Sequence, residues 1–441
     1  MINTKKTFAL ASQSGIEALE LFTRRTAKLS LHSYHNEVEN MTSADTTTLW
    51  ARGLVNGKMG YASTELLDSS APQFIVNQIR ENAQIINDDK PQPIFKGSEK
   101  YKRVKTYNAQ LEEWTTQQKV EFAKQLESKI RYLDSRVDDV SVEVEYSVSE
   151  TVLENSYGLK LKNKRNYFVV FADIVVKDGD VKKNAYAFVV DNDMSKLNID
   201  EIAREGVDKA LAKLGGQPCK SGKYPVIFNP EVTANFLNFF VQNAIAEEVQ
   251  KHSSVFEGKL NQPVASKCVT ITEMPLRNDY TGTSFDDEGV ATYNKPIINK
   301  GVLSTYAYNL STALVDGVQS TGNAQRTAGG KIGTGFNTLV LKPGNTREEH
   351  MIGSIGEGLY ITSVQGLHAG MNPNSGNFSL QAEGFAIHNG EKAEPIALIT
   401  IAGNLFEMFR DVKAVASNSK LNYIGVECPS IKIGSLSVSG K

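Results

Sequence analysis

Apolar and polar positions along the chain fall into two regimes. In the first half, helical spacing and strict alternation take turns. "GIEALELFTRR", residues 15–25, carries Ile16, Leu19, Leu21 and Phe22 at spacings that predict a helix. "KLSLHSYHNEVENM" then alternates Leu29, Leu31 and Ser33, a strand signature. "TTLWARGLVNGKMGYAST", 47–64, sets Asn56-Gly57 between two strand-like runs. Both residues accept the positive φ of a type I′ turn, which predicts a hairpin. "SSAPQFIVNQIRENAQII", 69–86, opens on Ser and Pro and keeps Phe74, Ile75, Ile79, Ala83 and Ile86 apolar, as a helix would. The first unit, 1–90, reads as helix, hairpin, helix. Residues 87–105 are polar, hold two prolines and read as a linker.

The second unit, 106–216, reads as helix, sheet, helix. "TTQQKVEFAKQLESKIRYLD", 115–134, is amphipathic. Val140, Val142, Val144, Tyr146 and Val148 alternate on one strand face, and Asp178-Gly179 marks a second hairpin. "NIDEIAREGVDKALAKLGG", 198–216, has Asn198 as cap, Glu201 three residues later and Gly215 as stop. From 217 onward the pattern changes. One helical stretch, "NFLNFFVQNAIAEEVQKHSSVFEGKL" at 235–260, ends in Glu247, Glu248 and His252. After it come short β-like runs such as "KCVTITEMP", "NTLVLKPG", "GLYITSVQG" and "SIKIGSLSVSG", with turn signals at 299–301 and Asn389-Gly390. Regular short strands of this kind predict a barrel or closed mixed sheet. The fold class is α+β: an N-terminal α/β region over 1–216 and a β-rich, barrel-like C-terminal domain over 217–441.

Composition narrows the function. The 441 residues are 40% apolar and 22% charged, with a net charge of −2, ordinary for a globular protein. A phosphate-neutralising nucleic-acid binder carries a basic excess. The cluster "KYKRVK" at 100–105 instead reads as solvated linker. Cys219, Cys268 and Cys428 are odd in number and far apart, which argues against a disulfide framework and suits a reducing cytoplasm. No apolar run is long enough for a membrane helix, and the first residues lack the apolar stretch of an export signal.

Chemistry is sparse. Glu248 and His252 lie four apart, the spacing of a metal-ligand pair on a helix. Two ligands do not complete a zinc site, and Lys251 and His252 suit the negative end of a helix dipole, so a charged helix end is the expected reading. His32 and His35 have odd spacing on a strand, which turns them to opposite faces. "TAGGKIGTGFNT", 327–338, is glycine-rich but lacks a following helix and a Gly-Lys-Ser/Thr ending, so it reads as a mobile loop. "SFDDEGVAT", 284–292, clusters Asp286, Asp287 and Glu288 but lacks the acidic spacing of an EF-hand; it reads as a solvated turn, with a metal or peptide-amine contact as the alternative.

Longer strings carry a resemblance. "GLVNGKMGYAST", "GKYPVIFNPEVTANFL", "GKLNQPVASKCVTI", "SFDDEGVAT", "INKGVLSTYAYN", "NPNSGNFSLQAEGFAIHNGE" and "TIAGNLFEMFRDVKAVASN" resemble the TldD/PmbA family, the "modulator of DNA gyrase" proteins. The similarity runs from about residue 15 onward. The resemblance implies two branches. TldD-like subunits hold zinc on a His-Glu-x-x-x-His helix whose Glu is the general base of peptide hydrolysis. PmbA-like, or TldE-like, subunits lack that string. It falls here on "LNFFVQ", with Leu237 and Gln242 at the two His positions and Asn238 at the Glu position. The zinc branch's C-terminal Cys also has no counterpart at 417–426, and Cys428 follows a few residues late.

The resemblance implies a cytoplasmic, non-catalytic subunit, inactive alone. It would work with a TldD-like catalytic subunit that carries the zinc, in a metallopeptidase trimming unfolded peptides. No cofactor is expected in this chain, nor direct contact with nucleic acid or membrane. Candidate peptide contacts are Asp286, Asp287, Asn323 and Arg326. A homodimer is plausible for an isolated subunit, whose partner-facing surface could mate with a second copy. Two other readings stay open: a peptidase-independent scaffold acting on gyrase, and a zinc hydrolase using Glu248, His252 and His368.

Overall fold

The computed structural model describes residues 2–85, 90 and 92–441. Ile86 of the expected helix, and 87–89 and 91 of the expected linker, lie outside the described residues. In chain order the first half forms α1 Thr4–Gln13, β1 Ala18–Tyr34, β2 Glu37–Val55, β3 Lys58–Thr64, α2 Ala71–Ile85, α3 Thr116–Leu133, β4 Val137–Asn155, β5 Lys160–Asp178, β6 Val181–Asp191 and α4 Ile199–Leu211. The expected hairpins are present. Asn56 and Gly57 have φ of 49° and 75° between β2 and β3, and Gly179 has φ of 57° between β5 and β6. Thr115 caps α3 in a reciprocal capping box with Gln118, and Asn198 caps α4.

The expected helix at 15–25 is instead the start of β1. Ala18–Phe22 are buried on both faces of the sheet, so they need consecutive apolar side chains and show no alternation. That run fits a helix stripe and a doubly buried strand equally well. β1 also joins the two N-terminal units. It pairs with β2 on one side and with β4 on the other, from Glu20↔Asn155 to Tyr34↔Ser141. The result is one antiparallel sheet, ordered β3-β2-β1-β4-β5-β6. α3 and α4 cover one part through Leu126, Ile130, Ile202 and Val207 against Val142, Val144 and Ile174. α2 covers another through Ile75 and Ile79 against Leu21 and Leu49.

The second half opens with β7 Gly222–Phe228 and α5 Pro230–Gln242. β7 joins strands Glu357–Gln365, Asn377–His388, Glu391–Asn404 and Ile431–Ser439 in a closed five-stranded barrel. The closing pairs run from Thr400↔Ser439 to Ala402↔Ser437. Beside it lies a six-stranded sheet of short strands that includes Ile271–Glu273, Leu339–Leu341 and Val426–Cys428. The architecture is mixed α+β, as the pattern predicted. α5 is anchored in the core by aromatic contacts: Phe236 stacks on Phe228 at 5.0 Å and Phe240 on Phe409 at 4.1 Å. The three cysteines are free thiols. No described helix is long and apolar enough to cross a membrane.

The helix expected to run through His252 breaks early. α5 ends at Gln242, and a short helix, Ala246–Gln250, follows a turn at 243–245. His252 lies beyond it with φ of 57°. The first part of the glycine-rich stretch at 327–338 forms the turn and second arm of a hairpin. Ala324–Arg326 pairs with Ile332–Thr334, and Trp50 Nε1 donates to Ala328 O at 3.0 Å. A tryptophan of the N-terminal sheet thus holds the turn.

Candidate functional site

α5 carries the positions at which the family resemblance places zinc. Asn229 caps the helix by accepting from Val232 N, and Pro230 follows at the first helical position. Val232, Phe236, Leu237, Phe240 and Val241 are buried. Glu231, Asn235, Asn238 and Gln242, spaced by four, three and four, form a partly exposed stripe. Leu237 is fully buried in the aromatic core. Gln242 Nε2 lies 3.5 Å from Asn238 Oδ1. An alkyl group and two carboxamides do not fit a zinc site: one has no lone pair, and the others are weak ligands that cannot take up a proton near neutrality. Among the described residues no three His, Cys, Asp or Glu side chains come together to hold a metal ion.

Glu248, His252 and His368 form no such group either. His252 is 78% exposed and its Nδ1 lies 2.7 Å from Glu257 Oε1. Glu248 accepts from Ser253 Oγ at 2.8 Å, and Lys251 sits 2.9 Å from Glu247 and 3.4 Å from Glu248. These are the ion pairs of a charged helix end.

The four candidate contacts, by contrast, are brought together, around a cluster that links the two halves. Arg52 on β2 and Glu20 on β1 are both buried. Arg52 Nη1 reaches Glu288 Oε1 at 2.9 Å. Glu288 Oε2 accepts from Leu310 N at 2.8 Å. Arg326 Nη2 adds a 2.6 Å contact to Glu20 Oε1 and donates to Asp287 O. Asp286 accepts from the backbone N–H of Glu288, Val290 and Ala324 at 2.9–3.0 Å. Asn323 Nδ2 donates to Glu273 at 2.9 and 3.0 Å, and Lys295 Nζ sits 2.6 Å from the same carboxylate.

The expected solvated turn at 284–292 is therefore a buried one. Its carboxylates are held by backbone N–H groups and by Arg52 from the other half of the chain, which offsets their desolvation. Asp286, Asn323 and the side chain of Arg326 are buried, while Asp287 keeps 23% of its side chain exposed, 3.6 Å from Arg24. Burial alone would raise the Glu20 carboxyl, but Arg52 and Arg326 hold it below the usual range. Burial and then Glu288 push Asp286 well up, against the pull of its three N–H donors. Sequence reading missed Glu20, Arg52, Glu273 and Lys295, and saw Glu288 only as part of a solvated turn. The available signal was a charge inside an apolar strand run, as in Glu20 of "ALELF".

A second feature lies where α5 begins. A cleft of about 350 Å³ separates β6 and α4 from the barrel, lined by Tyr186, Lys209, Lys213, Glu231, Tyr360 and Glu383 among others. Tyr186 Oη donates to Glu231, and Glu383 lies 3.3 Å from both Lys183 and Lys213. The polar stripe of α5 starts at this cleft with Glu231.

Comparison with known proteins agrees with the geometry. The PmbA/TldA metallopeptidase models match as domain 1 over 19–83, central domain over 109–214 and C-terminal domain over 221–440. A metalloprotease of Methanothermobacter thermautotrophicus is 27% identical over 65% of this chain and 64% of its own length. Metalloprotease PmbA of Escherichia coli O157:H7 is 25% identical over 96% of this chain and 93% of its own. A crystal structure from Thermotoga maritima MSB8, described as a candidate modulator of a DNA gyrase, has a TM-score of 0.91 at 29% identity, covering 99% of each chain. TldE of Thermococcus kodakarensis shares the fold, with a TM-score of 0.89 at 23% identity over 99% of this chain and 100% of its own. The barrel, the curved N-terminal sheet and the three matched domains lead to one conclusion: the chain belongs to the PmbA/TldD metallopeptidase family.

Proposed function

We propose that the chain is the non-catalytic, PmbA/TldE-type subunit of a TldD/TldE-type metallopeptidase that degrades unfolded peptides in the cytoplasm. One observation carries this reading. The α5 face that would hold zinc and a general base presents a core leucine and two carboxamides lying against each other. Hydrolysis then needs the metal and base of a TldD-like partner, while this chain helps enclose the peptide. Asp287 is the candidate contact that reaches solvent. Asp286 and Arg326 act behind it, fixing the loop that carries it, and Asn323 holds Glu273 beside them. Alone, the chain pairs with a second copy through the face meant for its partner; a monomeric mass in solution would count against that.

The test is a mixing assay. The chain, a TldD-like subunit from the same cell, and the two together are assayed on an unfolded peptide, with metal content measured by mass spectrometry. The chain alone is expected to hold no stoichiometric zinc and to cleave nothing, and the mixture to exceed the partner alone. Chelator-sensitive cleavage by the lone chain overturns the proposal. A mixture no better than the partner also overturns it, and favours a peptidase-independent binding role.

A further inference from the structure

The basic string at 100–105, expected from composition to be solvated linker, is pinned in place. Tyr101 Oη donates to Gly289 O at 2.8 Å and accepts from Ser98 N at 2.9 Å. Lys105 N donates to Asn278 Oδ1 at 3.0 Å, and Thr106 Oγ1 to Lys164 O at 2.7 Å. Asn108 and Asn166 exchange two hydrogen bonds of 2.8 Å. The segment is thus tied both to β5 and to the C-terminal half, and its side chains project from a fixed backbone.

These ties place two rows of cations around one open groove of about 740 Å³. Lys102, Arg103 and Lys105 line one wall, and Lys160, Lys162 and Lys164 the other. No carboxylate lines it among the described residues. Lys160 is paired with Glu154 at 2.6 Å, and Lys164 with Glu112 at 3.3 Å. Among the described residues, Lys102, Arg103, Lys105 and Lys162 have no carboxylate within 4 Å, and all four are exposed. The whole protein carries −2, so this is a local concentration of uncompensated positive charge. Arg165 lies farther along β5, on the face opposite Lys160, Lys162 and Lys164. Arg165 makes one long contact, 3.4 Å to Gly282 O, and has no carboxylate within 4 Å among the described residues.

Two features select the kind of anion. Residues 100–104 belong to no helix or strand and make no backbone hydrogen bond to another segment, which leaves N–H and C=O groups for an incoming extended chain. Two of the rings at the groove are also withdrawn from stacking on bases: Phe285 is buried, and Tyr107 lies under Lys164 at 3.9 Å. We infer that the groove binds an acidic stretch of polypeptide in extended form, its carboxylates paired by Lys102, Arg103, Lys105 and Lys162. Where the subunit assignment above also holds, the groove favours acid-rich substrates for the peptidase pair; that clause alone rests on that assignment.

The test uses the purified full chain and no partner, so its result is separate from the mixing assay. Fluorescence anisotropy compares labelled oligoglutamate with oligoglutamine of equal length, at low and moderate salt. Oligoglutamate is expected to bind about tenfold tighter, and to weaken with salt. The variant Lys102→Gln/Lys162→Gln, at two exposed positions, is expected to lose about tenfold with an unchanged Tm. Lys102→Glu/Lys162→Glu is expected to lose more. Oligothymidylate of equal length is expected to compete more weakly than oligoglutamate. Equal binding of the two peptides, undiminished binding by the glutamine variant, or tighter binding of oligothymidylate each overturns the inference.

Discussion

Glu20 and Arg52 stand directly opposite on β1 and β2 and share two contacts of 2.9 Å, Nε to Oε1 and Nη2 to Oε2, both side chains shut away from water. The remaining arm of Arg52 crosses to Glu288, so one guanidinium joins a strand pair in the first half to a loop in the second. The planar fork suits this task, and a lysine cannot reproduce it.

Replacing Arg52 with Met leaves Glu20 and Glu288 buried without the guanidinium that offsets their negative charge. The expected loss is about 3–5 kcal/mol in urea unfolding, with Arg52→Lys between Met and wild type. A loss below about 1 kcal/mol for Arg52→Met would mean the pair contributes little.

The same pair sets a pH dependence. Glu20 titrates below its ordinary value in the folded protein, while its unfolded counterpart titrates near about 4.3. Its contribution is therefore fully present above that value and is lost as pH falls through the lower folded value. Glu20→Gln should be clearly less stable than wild type at neutral pH, and the gap should narrow in acid. A gap that stays constant between about pH 7 and pH 2 excludes this linkage.

On α5, buried and polar positions should respond in opposite ways. Leu237→Ala opens a cavity in the aromatic core and should cost about 2–5 kcal/mol. Asn238→Ala and Gln242→Ala touch a partly exposed stripe and should each stay within about 1 kcal/mol. Thermal unfolding of the three variants separates them. A large loss at Asn238 would reveal a structural or binding duty for that carboxamide.

Much of this fold was legible in the sequence. Asn56-Gly57 fixed its hairpin because few residues accept two successive positive φ values, α3 showed in its amphipathic spacing, and Asn198 marked the start of α4 by cap chemistry. β1 was misread because burial on both faces erases the alternation that identifies a strand. The charged cluster was illegible for a different reason. Arg52 meets Glu288 across 236 residues and Arg326 meets Glu20 across 306, and no local pattern announces such a pairing. The carboxylates at 286–288 therefore looked like a surface turn. The basic run at 100–105 was visible as charge, but its fixed backbone depends on distant partners at 278 and 289.

Closure of the barrel also depends on the order of synthesis. The strand Ile431–Ser439 lies between β7 and Glu391–Asn404, and it leaves the ribosome after both. Until it emerges, two bare strand borders face the cell, and such borders recruit other chains. Every product truncated before residue 431 keeps that gap. A copy that ends before that strand would thus become a target for chaperones and proteases.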